Sequence, residues 1–143
     1  MLISTKGRYA LRILVDLAEH RTDGYLPLKE VAERQEISEK YLESIIKTLV
    51  KSGIVTGVRG KGGGYRLSRP PEQINVGDVL QMEEGPLVPV SCLEEGGPAC
   101  PRMSLCRTLE FWRGLDETID RYVHSYTIAD LARTGDAGGD YVI

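Results

Sequence analysis

The sequence predicts a mainly α-helical chain with one small β-hairpin. Three observations predict it. Apolar residues recur at helical spacing through the first 50 positions. Two short strand-like runs then flank a glycine-rich tip. A long heptad-like stripe of apolar residues fills the last third.

The first helix is predicted from about Thr5 to His20. Leu11, Leu14, Val15 and Ala18 fall at i, i+3, i+4 and i+7 and form its inward stripe. The polar run Arg21-Thr22-Asp23-Gly24 ends it. Pro27 opens a second helix, Leu28 to about Arg34, with Leu28, Val31 and Ala32 inward. Proline at a first turn loses no hydrogen bond, because that N–H has no partner in any helix. Gln35, Glu36 and Ile37 make a short turn, and Ser38 supplies an N-cap oxygen for a third helix running to about Ser52, stopped by Gly53.

The third helix is sharply divided. Leu42, Ile45, Ile46 and Leu49 repeat the inward spacing, whereas Glu39, Lys40, Glu43, Ser44, Lys47 and Lys51 are charged or hydrogen-bonding. Ile54-Val55-Thr56 and Tyr65-Arg66-Leu67 read as strands around the tip Gly57–Gly64, which carries Arg59 and Lys61. Three helices and a hairpin, with a short turn between the second and third helices, form a winged helix-turn-helix, placed in residues 1–74. That half holds 13 Lys/Arg against 9 Asp/Glu, net +4, and residues 75–143 hold 5 against 12, net −7. A basic half joined to an acidic half suits a chain that meets a polyanion at one end.

The third helix then becomes a reader of the major groove of double-stranded DNA. Ser38, Lys40, Tyr41, Glu43 and Ser44 lie at its N-terminal end. Lys40 can donate to guanine O6/N7, and Glu43 can accept from cytosine N4. A carboxylate facing DNA repels phosphates, so Glu43 makes sense there by reading a base or rejecting wrong sites. Arg59, framed by glycine at the tip, suits a narrow minor groove. Gly60-x-Gly62-x-x-Tyr65 lacks the last glycine of a dinucleotide loop, and no helix follows it.

Residues 75–143 carry a short helix, Asn75 to Glu84, and a loop of about 85–106 rich in Gly and Pro. A long helix follows at about 103–126. Leu105, Leu109, Trp112, Asp116, Ile119, Val123 and Tyr126 step by alternating fours and threes. About 24 helical residues span roughly 36 Å, too long for so small a domain to cover. The expectation is pairing with a second copy of the chain, and a helix folded back on its own domain is the alternative. Thr127 caps a short last helix, and Gly135 to Gly139 reads as a tail.

Every cysteine falls within 15 residues, as Cys92-x7-Cys100-x5-Cys106. Thiolates at this density suit an iron–sulfur cluster or zinc, with redox-active or inert thiols as alternatives. A zinc-binding interaction module is therefore a rival reading. Glu110, one turn beyond Cys106 on a continuous helix, is a candidate fourth ligand beside Glu94, Glu95, a partner-chain residue or solvent. An enzyme is disfavoured: the acids are scattered, and no Ser/His/Asp or HExxH pattern occurs. No apolar run approaches the roughly 20 residues that span a bilayer, no leader segment is evident, and a cytoplasmic protein without membrane attachment is expected.

Met1-Leu-Ile-Ser-Thr-Lys-Gly-Arg-Tyr-Ala-Leu, Ile37-Ser-Glu-Lys-Tyr-Leu-Glu and Val58-Arg-Gly-Lys-Gly-Gly-Gly-Tyr-Arg-Leu together resemble the IscR/NsrR/CymR family of bacterial winged-helix regulators. The resemblance implies homodimers that bind partly palindromic operators. It implies DNA contacts from Ser38, Lys40, Tyr41, Glu43, Ser44, Arg59 and Gly60. It also implies a repressor sensing iron–sulfur status through a cluster on Cys92, Cys100 and Cys106, of the 2Fe-2S type, with 4Fe-4S as the alternative. IscR-like members add a His shortly after the third Cys, and here Leu109 stands at that position. NsrR-like members use an acid from the partner's first helix, where this chain offers Arg8. A CymR-like regulator of cysteine metabolism needs no cluster.

Overall fold

A computed structural model describes residues 2–139, with side chains through Arg133; Met1 and residues 140–143 lie outside the described part. Helix α1 spans Thr5–Glu19, α2 Leu28–Gln35 and α3 Glu39–Lys51. Strands β1 (Val55–Val58) and β2 (Gly64–Leu67) pair antiparallel, with Val55 opposite Leu67 and Val58 opposite Gly64. Helix α4 spans Val76–Glu84, α5 Leu109–His124 and α6 Ile128–Gly139.

The stripe of α3 is buried as predicted. Leu42, Ile45, Ile46 and Leu49 are all fully inaccessible. Ser38 caps the helix, its hydroxyl accepting from the Tyr41 N–H at 3.2 Å. The turn before it passes through Glu36, the sole non-glycine residue at positive φ among those described, at +54°. That left-handed residue turns the chain sharply, and Ile37 N–H closes on the Ala32 carbonyl at 3.1 Å.

In α1 the stripe lies elsewhere than the spacing suggested. Ala10, Ile13, Leu14 and Leu17 form the buried line, while Leu11, Val15 and Ala18 are half-buried beside it. Helix α6 packs on α1, so α1 has neighbours around more than one face. In α2, Val31 and Ala32 are buried and Leu28 is partly so.

The hairpin has a third, very short partner that the sequence reading did not include. Leu26 bridges Tyr65, each N–H donating to the other's carbonyl at 2.8 and 2.9 Å. Gly64 makes this possible. Its φ is +148°, and a Cβ there would sit 2.3 Å from the Leu26 carbonyl oxygen.

The acidic half does not stand apart from the basic half. One core joins Ile13, Ile45 and Leu49 to Ile74, Val79, Leu80, Leu87 and Ile128. Asn75 caps α4, accepting from the Asp78 N–H, and its amide donates to the His124 carbonyl at 2.8 Å. Ile128 N–H donates to the Ile74 carbonyl, and Val76 N–H to that of Tyr126. Thr127 and Asp130 cap α6 reciprocally: Thr127 N–H donates to the Asp130 carboxylate at 2.8 Å, and Asp130 N–H to the Thr127 hydroxyl at 3.2 Å. Helix α6 continues to Gly139, through the stretch read as a tail.

The long helix is shorter than its stripe implied. It begins at Leu109 and runs 16 residues, roughly 24 Å. Met103–Leu105 is a separate 3-10 turn, and Cys106 is extended at φ −76°, ψ 112°. Leu109 is buried, Trp112, Ile119 and Val123 are half-buried, and Ile119, Val123 and Tyr126 pack on the chain's own core. The C-terminal part of the predicted seam therefore packs on the chain itself, while Leu105, at its start, is exposed. Phe111, Leu115 and Tyr122, at i, i+4 and i+11 about a quarter turn round the helix, are the large apolar residues that α5 exposes. No described helix is long and apolar enough to cross a membrane.

Substituting Gly64→Ala should cost on the order of 2 kcal/mol, combining backbone strain with loss of the Leu26 bridge. Urea unfolding of the two proteins measures it; an unchanged midpoint would show that the bridge does not hold the hairpin.

Candidate nucleic-acid interface and cysteine loop

The polar side of α3 is open. Ser38, Lys40, Tyr41 and Ser44 line one shallow depression at its N-terminal end. Glu43 and Arg59, 16 positions apart in sequence, line a single cleft of about 370 Å³ between α3 and the hairpin. Lys47 and Tyr65 border the same cleft, and Val50 and Val58 supply its exposed apolar wall. Gly60 stands at the hairpin tip with φ +95°, its carbonyl accepting from Gly63 N–H at 3.0 Å. The structure thus gathers all seven predicted residues on α3 and the hairpin.

Their hydrogen-bonding capacity is partly used. Ser44 Oγ donates to the Tyr41 carbonyl at 2.7 Å, leaving its lone pairs to accept. Glu43 lies 3.9 Å from Lys47, with both side chains more than half exposed. Such a solvent-screened pair contributes little and releases either partner readily.

What aims α3 is a network that sequence reasoning missed. Asp16 of α1 is 1% exposed, and its carboxylate is wholly inaccessible. Arg34 grips its carboxylate with two donors, Nε at 3.0 Å and Nη2 at 2.8 Å, and Gln35 Nε2 donates at 2.8 Å. This forked pair raises the Arg34 pKa, chiefly through the Asp16 hydrogen bonds. Arg12 donates to both the side-chain and the backbone oxygen of Gln35. Its guanidinium lies 4.8 Å from the Tyr9 ring centre, and Tyr9 meets Tyr41 edge-on at 5.8 Å. The chain of contacts runs from the buried carboxylate to the first turn of α3. The signal was present: Asp16 is i+3 from Ile13, so a charge interrupts the inward line of α1.

A second strap joins α4 to this unit. The Glu83 side chain is 1% exposed, accepts from Thr48 at 2.8 Å and lies 3.8 Å from Lys6 Nζ. Glu84 accepts from both the N–H and the hydroxyl of Ser4, at 3.0 and 2.6 Å.

The loop holds Cys92 in a 3-10 turn at Ser91–Leu93, Cys100 just before Pro101, and Cys106 ahead of α5. All three are free thiols and half-buried. Cys100 and Cys106 are tied to Met103 by backbone bonds of 3.1 and 3.3 Å. The Thr108 hydroxyl lies 3.4 Å from Cys106 Sγ, and this contact, followed by the Thr108 backbone N–H, holds the Cys106 pKa below the ordinary thiol range. Among the described residues no group of three metal-ligating side chains converges. Glu110 is 83% exposed and paired with Arg113 at 2.8 Å. Because α5 begins after Cys106, the helical face that was to align Glu110 with that thiol does not exist. His124 sits at the far end of α5 against Gly77, with Nε2 3.4 Å from Asp78.

The family model for Rrf2, an iron-dependent transcriptional regulator, matches residues 3–134. The chain is 41% identical to protein rrf2 of Nitratidesulfovibrio vulgaris over 93% of its length and 88% of the relative's. It is 38% identical to the HTH-type transcriptional regulator IscR of Yersinia pseudotuberculosis, over 95% of this chain and 82% of that one. Among solved structures, CymR, the global cysteine regulator of B. subtilis, superimposes with TM-score 0.79 at 36% identity, over 94% and 98% of the two chains. The chain belongs to the Rrf2 family of winged-helix, DNA-binding transcription regulators; its relatives are regulators, not enzymes.

Two outcomes follow from this geometry. Asp16→Ala leaves Arg34 and Gln35 without their acceptor, should destabilise by about 3 kcal/mol, and should weaken operator binding through a loosened α3; denaturation and fluorescence titration read the two effects. Thr108→Val should slow iodoacetamide alkylation of Cys106 near neutral pH, because the reactive thiolate loses its hydroxyl donor. Equal rates, followed by mass spectrometry of the metal-free protein, would remove Thr108 from that role.

Proposed function

We propose that the chain is a homodimeric repressor that senses iron–sulfur status through a cluster on its cysteine loop and controls iron–sulfur biogenesis genes. The observation that carries the reading is the joining, in one fold, of an open polar face on α3 beside a wing arginine with a loop holding every cysteine. Ser38, Lys40, Tyr41, Glu43 and Ser44 read the major groove, and Arg59 and Gly60 meet the minor groove and its phosphates. Glu43 selects the operator class by accepting from cytosine or by repelling unmatched sites.

Thiolate donors at Cys92, Cys100 and Cys106 suit iron, and the lowered pKa of Cys106 favours the ligating form. The group these residues would hold is a 2Fe-2S cluster, with 4Fe-4S as the alternative; it supplies redox and iron sensitivity when bound. The fourth position is open to a loop glutamate, solvent or a partner-chain residue, and an oxygen or open position leaves a cluster labile, as a sensor requires.

The second copy docks along α5. Phe111, Leu115 and Tyr122 form an exposed apolar row on a helix whose inner face is already covered. Two recognition helices must then sit roughly 34–36 Å apart to enter successive major grooves. The state of the loop, which leads directly into α5, biases that spacing.

A second reading is favoured by the non-convergence of the three thiols and by the likeness to CymR: a cluster-free regulator of cysteine metabolism. Anaerobic purification with iron and sulfide assays and an absorbance spectrum separates these readings. Iron, acid-labile sulfide and visible absorbance are expected, all abolished in the Cys92→Ala, Cys100→Ala, Cys106→Ala triple variant, with altered affinity for promoter fragments. Colourless protein whose promoter binding ignores that variant would favour the cluster-free reading, and stoichiometric zinc would favour a zinc module. Light scattering should report a dimer that Phe111→Lys with Tyr122→Lys converts to monomer.

A further inference from the structure

The hairpin has a face that the DNA-reading cleft does not use. Gly57 pairs with Tyr65, and both line the cleft beside α3; Thr56 pairs with Arg66, one step along each strand. Successive strand residues point to opposite faces, so Thr56 and Arg66 face away from that cleft. They line a second one, of about 430 Å³, between the hairpin and the turn that follows α1.

Its chemistry is basic. Arg21, Arg66 and Arg69 border it, against the single acid Asp23. None of these three arginines is in an ion pair among the described residues. Two are already held in place. The Arg66 guanidinium lies 4.6 Å from the Tyr25 ring centre, and Arg69 Nε donates to the Gln73 carbonyl at 3.1 Å. The hydroxyls of Thr56 and Ser68, 2.8 Å apart, add a polar floor.

Three cations around one hollow repel one another, and an anion that enters relieves the repulsion at all three. Arginine presents planar donor forks matched to phosphate and carboxylate oxygens. The volume lies within the range of small-molecule sites, and the polar walls disfavour an apolar occupant. We propose that this cleft binds a small polyanion carrying two or more phosphate or carboxylate groups, at a site separate from the DNA-reading face.

Calorimetric titration of the full chain with pyrophosphate, and separately with citrate, tests the assignment and tells the two anion types apart. One saturable site per chain is expected for at least one of them. Arg21→Gln with Arg66→Gln should weaken it by about ten-fold or more, while Lys40→Gln with Arg59→Gln leaves it unchanged. Arg69→Gln, a single exposed change, provides the same reading should the double variant lose its helical circular dichroism. No saturable binding of either anion, or binding indifferent to the cleft variants, overturns the proposal. So does a loss of operator affinity in the cleft variants without any small-anion binding, which would assign the arginines to the DNA backbone.

Discussion

A carboxylate removed from water must be paired, and Asp16 is that carboxylate. Its three donors come from Arg34 and Gln35, the last two residues of α2, so the charge on α1 fixes the end of one helix just before the turn into the next. Glu36 then adopts its left-handed conformation and α3 departs in one direction. Apolar packing alone would hold α3 on the core but would tolerate rotation and sliding. A forked ion pair tolerates little of either, because both hydrogen bonds must be kept in line. The tyrosine pair extends the same constraint to the first turn of α3.

The acidic half is arranged as a departure and a return. Helix α4 is strapped to α1 and α3 through Glu83 and Glu84. The loop leads into α5, which lays Ile119 and Val123 on the core, and α6 returns to pack against α1 and Pro71–Gln73. Asn75 and Thr127 meet where the outgoing and returning segments cross, so α5 is anchored at its C-terminal end. At its N-terminal end, Leu109 is its one buried residue. The cysteine loop leads into α5 at that end.

The legibility of the sequence varied with where each partner lay. All four inward residues of α3 were readable, because a helix that meets the core on one side leaves its period undisturbed. In α1 the line was displaced, because α6, more than 100 positions away, covers a second side. The stripe of the last third was real, but spacing says which residues share a face once a helix exists and carries no signal of where it begins. Hence Cys106 was placed on α5 and lies before it, and the seam offered to a second chain is instead partly occupied by the chain's own core. The row of Phe111, Leu115 and Tyr122 was visible as residues yet unreadable as a surface.

The three helices, the wing, the polar side of α3 and the clustering of the cysteines were legible in the residues alone. Each is local: period, cap and turn chemistry act over a few residues and need no distant partner. Folding settles the rest: which face of α1 and α5 is inside, that Asp16 is buried and what holds it, and that Glu43 and Arg59 share one cleft while three arginines share another. Those are matters of contact between segments far apart along the chain, where burial and charge pairing are settled by whichever neighbours the fold brings near.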